Sequence, residues 1–93
     1  MTLSTFEEFR TRKLAEGFDE VLERRWEART VLEEHTHPFD ANAVVADGEM
    51  WLQVGTGPAR RLLPGDTFEL ARGTPHSERY GEAGATYWVA RRG

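Results

Sequence analysis

Short runs of alternating apolar and polar residues fill the chain from residue 18 onward, and glycine, proline and aspartate separate the runs. Side chains of a β strand alternate between its two faces, so this pattern is typical of half-buried strands. It predicts strands over residues 21–27, 30–37, 41–46, 49–54, 60–63, 67–70, 75–80 and 85–91. Many short strands separated at regular intervals by turn residues predict an all-β barrel or sandwich.

Turn-forming residues indicate how the strands connect. Asp47-Gly48 is a strong signal for a two-residue β hairpin. Residues 55–58 and 64–66, both rich in glycine and proline, predict two further turns, and residues 81–84 predict a loop. We therefore expect the chain to reverse at residue 47 and to break between residues 80 and 85.

The first residues follow a different pattern, which indicates a short helix. Ser4 is a candidate N-cap, because Glu7 stands three residues later, the spacing of a capping box. Gly17 is suited to end the helix, since glycine readily adopts the left-handed conformation found there. We expect residues 1–17 to form a helix packed on the barrel and residues 18–93 to form a single barrel domain.

The composition describes one folded domain without disulfides. The chain has 93 residues, a formal net charge of -4, 30% charged residues and no cysteine. A chain of this length has room for one domain and buries a modest core, so a homodimer that covers one sheet face is expected. The lack of cysteine excludes thiolate zinc sites.

Charge and hydropathy narrow the expected partners and location. The acidic balance argues against nucleic acid as a partner. Even the apolar run at residues 43–46 is far too short to span a bilayer, so we expect no membrane partner. Residues 1–4 lack the basic region and apolar core of a secretory signal, and a cytoplasmic location is therefore expected.

The three histidines are the candidate functional residues. His35 and His37 form a His-x-His pair, and alternate residues of a strand point to the same face. His76 comes much later, in a second strand-rich stretch. If a small barrel brings the three neutral imidazoles together, they form a site for one divalent transition metal. The alternative is that the histidines fill a polar pocket without a metal.

The stretch from Arg29 to Tyr80 resembles the two signature motifs of the cupin family, whose fold is a double-stranded β-helix, a barrel of the jelly-roll type. The first family motif reads Gly, five residues, His-x-His, three or four residues, Glu, six residues, Gly. The second reads Gly, five residues, Pro-x-Gly, two residues, His, three residues, Asn. The positions that match are His35, His37 and Gly48 in the first motif, and Gly65, Gly73 and His76 in the second.

Four motif positions depart from the family, and one of them changes the expected site. Arg29, Ala71 and Tyr80 replace a glycine, a proline and the asparagine, while Ala41 stands where the family has its glutamate ligand. The resemblance therefore implies a three-histidine site in place of three histidines and a glutamate. Two carboxylates share a face with a histidine, and we expect neither to be a ligand: Glu78 is predicted to pair with an arginine, and Glu33 to lie at the rim.

The resemblance implies a metal cofactor and a small-molecule substrate or ligand. One divalent transition metal per chain is expected, whether iron, zinc, nickel, manganese or copper. Three neutral imidazoles leave the ion its full charge, which favours an anionic ligand at the open positions. Tyr80 shares the face of His76 and is a candidate proton donor or hydrogen-bond donor to a ligand; the alternative is a rim tyrosine with its hydroxyl in water.

Two functional classes remain open from the sequence. The first is a small metalloenzyme with dioxygenase-like or isomerase-like chemistry on a small organic molecule. The second is a non-catalytic barrel that binds or senses a small ligand. A fold does not by itself specify a reaction, so the residues of the site have to decide.

Overall fold

Two long bent strands organise the chain, which the computed structural model describes over residues 5–93. They are β3 (Asp40–Val54) and β6 (His76–Arg92), and they pair antiparallel along most of their lengths. The shorter elements are the helix α1 (Phe6–Ala15) and the strands β1 (Glu20–Trp26), β2 (Val31–His35), β4 (Arg60–Leu62) and β5 (Thr67–Leu70).

The short strands flank the two halves of the long strands and so make two layers. The second half of β6 pairs with β1, and the first half of β3 pairs with β5. The first half of β6 pairs with β2, and the second half of β3 pairs with β4. One layer is therefore ordered β1-β6-β3-β5 and the other β2-β6-β3-β4, all antiparallel. The fold is all-β with a short N-terminal helix, as the pattern of the sequence predicts.

The predicted hairpin at Asp47-Gly48 and the predicted loop at residues 81–84 are wrong, because the chain continues through both as strand. The register between β3 and β6 shifts on either side of these residues, between Val45 and Asp47 and again between Gly48 and Met50. Gly48 has a φ of 79°, a conformation that suits a bulge as well as a hairpin turn. The Asp-Gly pair thus bends a strand that crosses from one layer to the other.

The core lies between the two layers and consists mainly of inward-facing residues of β3 and β6. Its largest apolar members include Met50 and Leu62, which are almost fully buried, and Phe68, whose ring meets Tyr87 edge-on at 5.5 Å. Small residues such as Ala41 and Ala43 leave space inside the first half of β3. The barrel is therefore tightly filled at one end and more open at the end where Ala41 lies.

A second apolar cluster covers the outside of the β1-β6-β3 layer. Phe6 and Phe9 of α1 both place their rings 5.9 Å from the ring of Trp88. The N-cap of the helix is Thr5, whose hydroxyl accepts a hydrogen bond from the backbone N–H of Glu8 at 3.1 Å. The predicted cap, Ser4, lies outside the described residues. Within the described chain, no helix has the length and apolar character needed to cross a bilayer.

The backbones of β3 and β6 approach closely at Gly48 and Gly84, so a side chain at Gly48 is expected to destabilise the fold strongly. A Cβ atom there would lie 2.1 Å from the carbonyl oxygen of Gly84, so Gly48→Ala should lower the free energy of unfolding by more than about 3 kcal/mol. Gly73→Ala is the matched control, since Gly73 has a similar φ of 77° and no atom within 4 Å of the added Cβ. It should cost about 1 kcal/mol. Urea unfolding followed by tryptophan fluorescence measures both, and equal losses would contradict a steric limit at the crossing.

Candidate metal centre

The structure brings the three predicted histidines together at the open end of the barrel. His35 ends β2 and His76 begins β6, and the two residues are directly paired between the strands. Their ring centroids lie 4.3 Å apart, and the ring of His37 lies 5.0 Å from each of them. One ring nitrogen of each histidine lies within 4.8 Å of those of the other two. The group has the composition and spacing of a possible metal site.

Backbone carbonyl groups fix the orientation of two of the rings. The Nδ1 atom of His35 lies 2.7 Å from the carbonyl oxygen of Glu33, and the Nδ1 atom of His76 lies 2.9 Å from that of Thr74. A carbonyl oxygen can only accept, so each Nδ1 must carry the proton and donate it. The Nε2 atom of each neutral ring is then left with a free lone pair. A histidine that ligates a metal is commonly held in this way.

His37 is held in its neutral form by its surroundings. Burial lowers the pKa of its imidazole, and the nearby rings of His76 and His35 lower it further. Its ring stacks on Phe39, with centroids 4.8 Å apart and planes 16° from parallel. A neutral imidazole is the form that coordinates a metal.

The three histidines line one side of a cavity of about 160 Å³. Most of the remaining wall is apolar and comes from both layers, with Leu32, Phe39, Ala41, Phe68, Leu70 and Val89. The other charged residues on the wall are Glu78, Arg24 and Arg91, and Tyr87 and Trp26 add a hydroxyl and an indole N–H. The cavity therefore combines an apolar wall with a small set of charged and imidazole groups, which is typical of a site for a small ligand.

The prediction that Glu78 pairs with an arginine is wrong. Glu78 pairs with no arginine among the described residues; its side chain is buried and faces the histidines. Its Oε2 atom lies 3.4 Å from Nε2 of His35 and 3.8 Å from Nε2 of His76. Glu33, the other carboxylate considered, is exposed to solvent. The alternation along β6 gave the correct face for Glu78, but alternation cannot give the depth at which that face lies.

Tyr80 supports Glu78 from the interior and does not line the cavity. Its hydroxyl donates a hydrogen bond to Oε1 of Glu78 at 2.6 Å, and its ring stacks on Trp26 with centroids 5.4 Å apart. Only 2% of the residue is exposed, so the alternative of a rim tyrosine is wrong. Burial, then the neighbouring Tyr87 and Glu78, raises the pKa of the Tyr80 hydroxyl far above its ordinary value. Tyr80 is therefore a permanent hydrogen-bond donor at neutral pH.

Ala41 lines the cavity as a short side chain, and its polar neighbours point away from it. The Oδ1 atom of Asp40 accepts a hydrogen bond from the backbone N–H of Arg72 at 2.8 Å. The side-chain amide of Asn42 donates to Glu69 at 2.7 Å on the outer face. Neither neighbour replaces the missing glutamate at Ala41, so the first half of β3 contributes no carboxylate to the site.

Comparison with known proteins identifies the fold. No family model and no curated protein matches the chain, whereas solved structures do. The DMSP lyase DddQ from Ruegeria pomeroyi is 29% identical over 78% of this chain, with a TM-score of 0.68. KdgF from a Halomonas species is 23% identical over 78% of the chain, with a TM-score of 0.67. An RmlC-like cupin from Shewanella frigidimarina is 18% identical over 78% of the chain, with a TM-score of 0.66.

The coverage of the matched proteins differs. The chain covers 68% of KdgF and 65% of the Shewanella cupin, but 36% of DddQ. It thus spans little more than a third of the length of the DMSP lyases that it matches. The strand order, the two-layer arrangement and these structural matches agree, and the chain has the double-stranded β-helix fold of a cupin domain.

Proposed function

We propose that this chain is a metal-dependent enzyme domain that binds one divalent transition metal through His35, His37 and His76 and acts on a small organic anion. The observation that carries the proposal is the convergence of three imidazoles, two of them held by backbone carbonyls with Nε2 free. Neutral imidazole ligands suit iron, copper, zinc and nickel. A bound ion would supply Lewis-acid or oxygen-activating chemistry at the positions that the histidines leave open.

The chain's own residues prepare the site for such chemistry. The carbonyl oxygens of Glu33 and Thr74 keep the proton on Nδ1 of His35 and His76, so no proton has to leave Nε2 before it coordinates. The apolar wall keeps bulk water from the bound substrate, which strengthens electrostatic interactions within the cavity. The cavity volume limits the substrate to a small molecule.

Two arginines on the cavity wall support an anionic substrate. The Nε atom of Arg91 is buried without a hydrogen-bond partner among the described residues, and its NH2 group pairs with the exposed carboxylate of Glu20. The guanidinium lies over the ring of Phe39 at 4.8 Å, and that ring in turn stacks on His37. Arg24 lines the same cavity, with its guanidinium 5.1 Å from the Trp26 ring. A carboxylate bound in the cavity would pair with a guanidinium on its wall, which is a strong, charge-assisted contact.

Activity on a small organic molecule is consistent with the structural matches. DddQ, which shares this fold, is a DMSP lyase. The chain lacks much of the length of that enzyme, so the reaction is proposed from the site and not transferred from the match. A metal with open positions would support either a dioxygenase-like or an isomerase-like reaction on a substrate that binds through oxygen atoms.

Metal binding is the first expected property. The protein should hold about one divalent metal per chain, and His76→Ala should weaken binding by at least about 100-fold, since the buried ring holds one of the oriented Nε2 atoms. Elemental mass spectrometry gives the stoichiometry, and competition with a chromophoric chelator gives the affinity. Glu69→Gln, on the outer face, is the control and should bind normally. Equal metal content in the wild type and His76→Ala would refute the site.

Anion binding is the second expected property. Benzoate, which has a carboxylate on an apolar body, should perturb the visible spectrum of the Co²⁺-loaded protein. Arg91→Gln should weaken benzoate binding about tenfold, because the cavity loses a partly buried cation. Arg92→Gln is the matched control, since the neighbouring guanidinium lies over Phe18, outside this cavity. Similar benzoate affinities in the two variants would exclude Arg91 as the anion-binding group.

Turnover separates an enzyme from a binding barrel. The metal-loaded protein should consume oxygen with, or rearrange, some member of a panel of small carboxylates and enolisable ketones, and His76→Ala should do neither. Oxygen uptake and mass spectrometry of the products measure both reactions. Binding of benzoate without turnover of any panel member would instead favour a non-catalytic ligand-binding or sensor barrel.

A further inference from the structure

We propose that Glu78 supplies a fourth, carboxylate ligand to the metal, replacing from β6 the glutamate that β3 lacks at Ala41. The inference rests on the proposed three-histidine site and adds a residue to it. Its basis is the position of the Glu78 side chain, which is 5% exposed and is directed at the imidazole nitrogens. Among the positions of the two family motifs, the one that normally carries a glutamate ligand is Ala41 in this chain.

The distances agree with a shared metal. Two ligand atoms each about 2.1 Å from one ion lie between about 3.0 Å apart, at an octahedral angle, and about 3.4 Å apart, at a tetrahedral angle. Oε2 of Glu78 lies 3.4 Å from Nε2 of His35 and 3.8 Å from Nε2 of His76. Small side-chain movements would therefore bring these three atoms to coordination distance from a single ion.

The hydrogen-bond roles favour a cation between these atoms. Because Nδ1 of both rings donates to a backbone carbonyl, the Nε2 atoms of neutral His35 and His76 carry lone pairs and no proton. The carboxylate oxygen that faces them is also an acceptor. Three acceptors directed at one another, two of them on the buried side chains of His76 and Glu78, are an unfavourable arrangement that a metal ion among them relieves. A divalent ion satisfies all three at once.

Tyr80 acts as a positioning residue for this ligand. Its hydroxyl holds Oε1 of Glu78 at 2.6 Å, which leaves Oε2 directed at the histidines. Stacking of Tyr80 on Trp26 restrains the ring that carries the hydroxyl. The alternation of β6 places His76, Glu78 and Tyr80 on the same inner face, all of them buried. One strand thus carries a histidine ligand, the carboxylate ligand and the group that orients the carboxylate.

A fourth, anionic ligand changes the charge of the site. Three imidazoles leave a divalent ion with two positive charges, whereas three imidazoles and Glu78 leave one. The number of positions open to substrate falls by one as well. The site would then offer the donor set of the family's usual motif, three histidines and a glutamate, with the glutamate on a different strand.

The test uses Co²⁺ affinity and the visible spectrum of the Co²⁺-loaded protein, neither of which depends on activity. Glu78→Gln keeps the size of the side chain and an acceptor for Tyr80, and it should weaken Co²⁺ binding at least about tenfold and alter the spectrum. Ala41→Glu introduced into the Glu78→Gln variant should recover affinity, because residue 41 lines the same cavity. Glu69→Gln, an outer-face carboxylate, is the control and should change neither reading.

Tyr80→Phe tests the positioning role, since it keeps the stacked ring and removes only the hydroxyl. It should shift the Co²⁺ spectrum and weaken binding several-fold, and both effects should vanish in the Glu78→Gln background. If Glu78→Gln matches the wild type while His76→Ala loses the metal, the carboxylate ligand is refuted and the three-histidine site stands. If the wild type and His76→Ala bind Co²⁺ equally, the proposed function and this inference both fail.

Discussion

The close contact between β3 and β6 at Gly48 and Gly84 is the constraint on which the remaining structure depends. A Cβ at Gly48 would meet the Gly84 carbonyl, and a Cβ at Gly84 would lie 2.3 Å from the carbonyl oxygen of Trp26, so three backbone segments meet where no side chain fits. Both long strands bend there and pass from one layer to the other. Because of the bend, the start of β6 lies beside β2 while its end lies beside β1. The cavity forms between the layers that this crossing creates.

The open end of the barrel brings ligand atoms of His35, His76 and Glu78 close to one another. The interior holds three imidazoles, a carboxylate and an apolar wall, and the hydroxyl of Tyr80 satisfies one oxygen of Glu78. Oε2 of Glu78 lies 3.4 Å from Nε2 of His35 and 3.8 Å from Nε2 of His76, so a cation bound there would have three ligand atoms within reach. A cation that binds the folded chain and not the unfolded chain would raise the free energy of unfolding of the barrel. Occupation of the site by a cation and the stability of the barrel would therefore rise together.

The sequence predicted the face on which a residue lies better than it predicted depth or strand continuity. His35 and His37 were found from the predicted alternation over residues 30–37, and His76 from the spacing of the second motif. The structure ends β2 at His35, so His37 lies just beyond the strand and still reaches the site. The continuity of β3 was missed because a positive φ at Gly48 serves a hairpin or a bulge equally well, and the pairing partner decides between them. Glu78 was given the right face, yet its burial depends on how far β2 and β3 cover β6.

Arg24 and Arg91 illustrate why other parts of the cavity could not be predicted. They belong to β1 and β6, far apart in the chain, and reach the same wall only after the second half of β6 pairs with β1. No local pattern in the sequence distinguishes an arginine that lines a cavity from one that faces solvent. Arg92, the next residue, lies over Phe18 outside the cavity, so a difference of one position separates the two roles.

The alternation of His76, Glu78 and Tyr80 along β6 ties the site to the alignment of one strand. A slip of β6 by one residue against β2 and β3 would turn all three side chains to solvent and bring Ser77 and Arg79 inward. The slipped chain would lose the buried packing and the converging nitrogens in the same event. A barrel with the slipped strand would then lack the nitrogens needed to bind an ion. Ion binding would therefore distinguish correctly aligned barrels from misaligned ones.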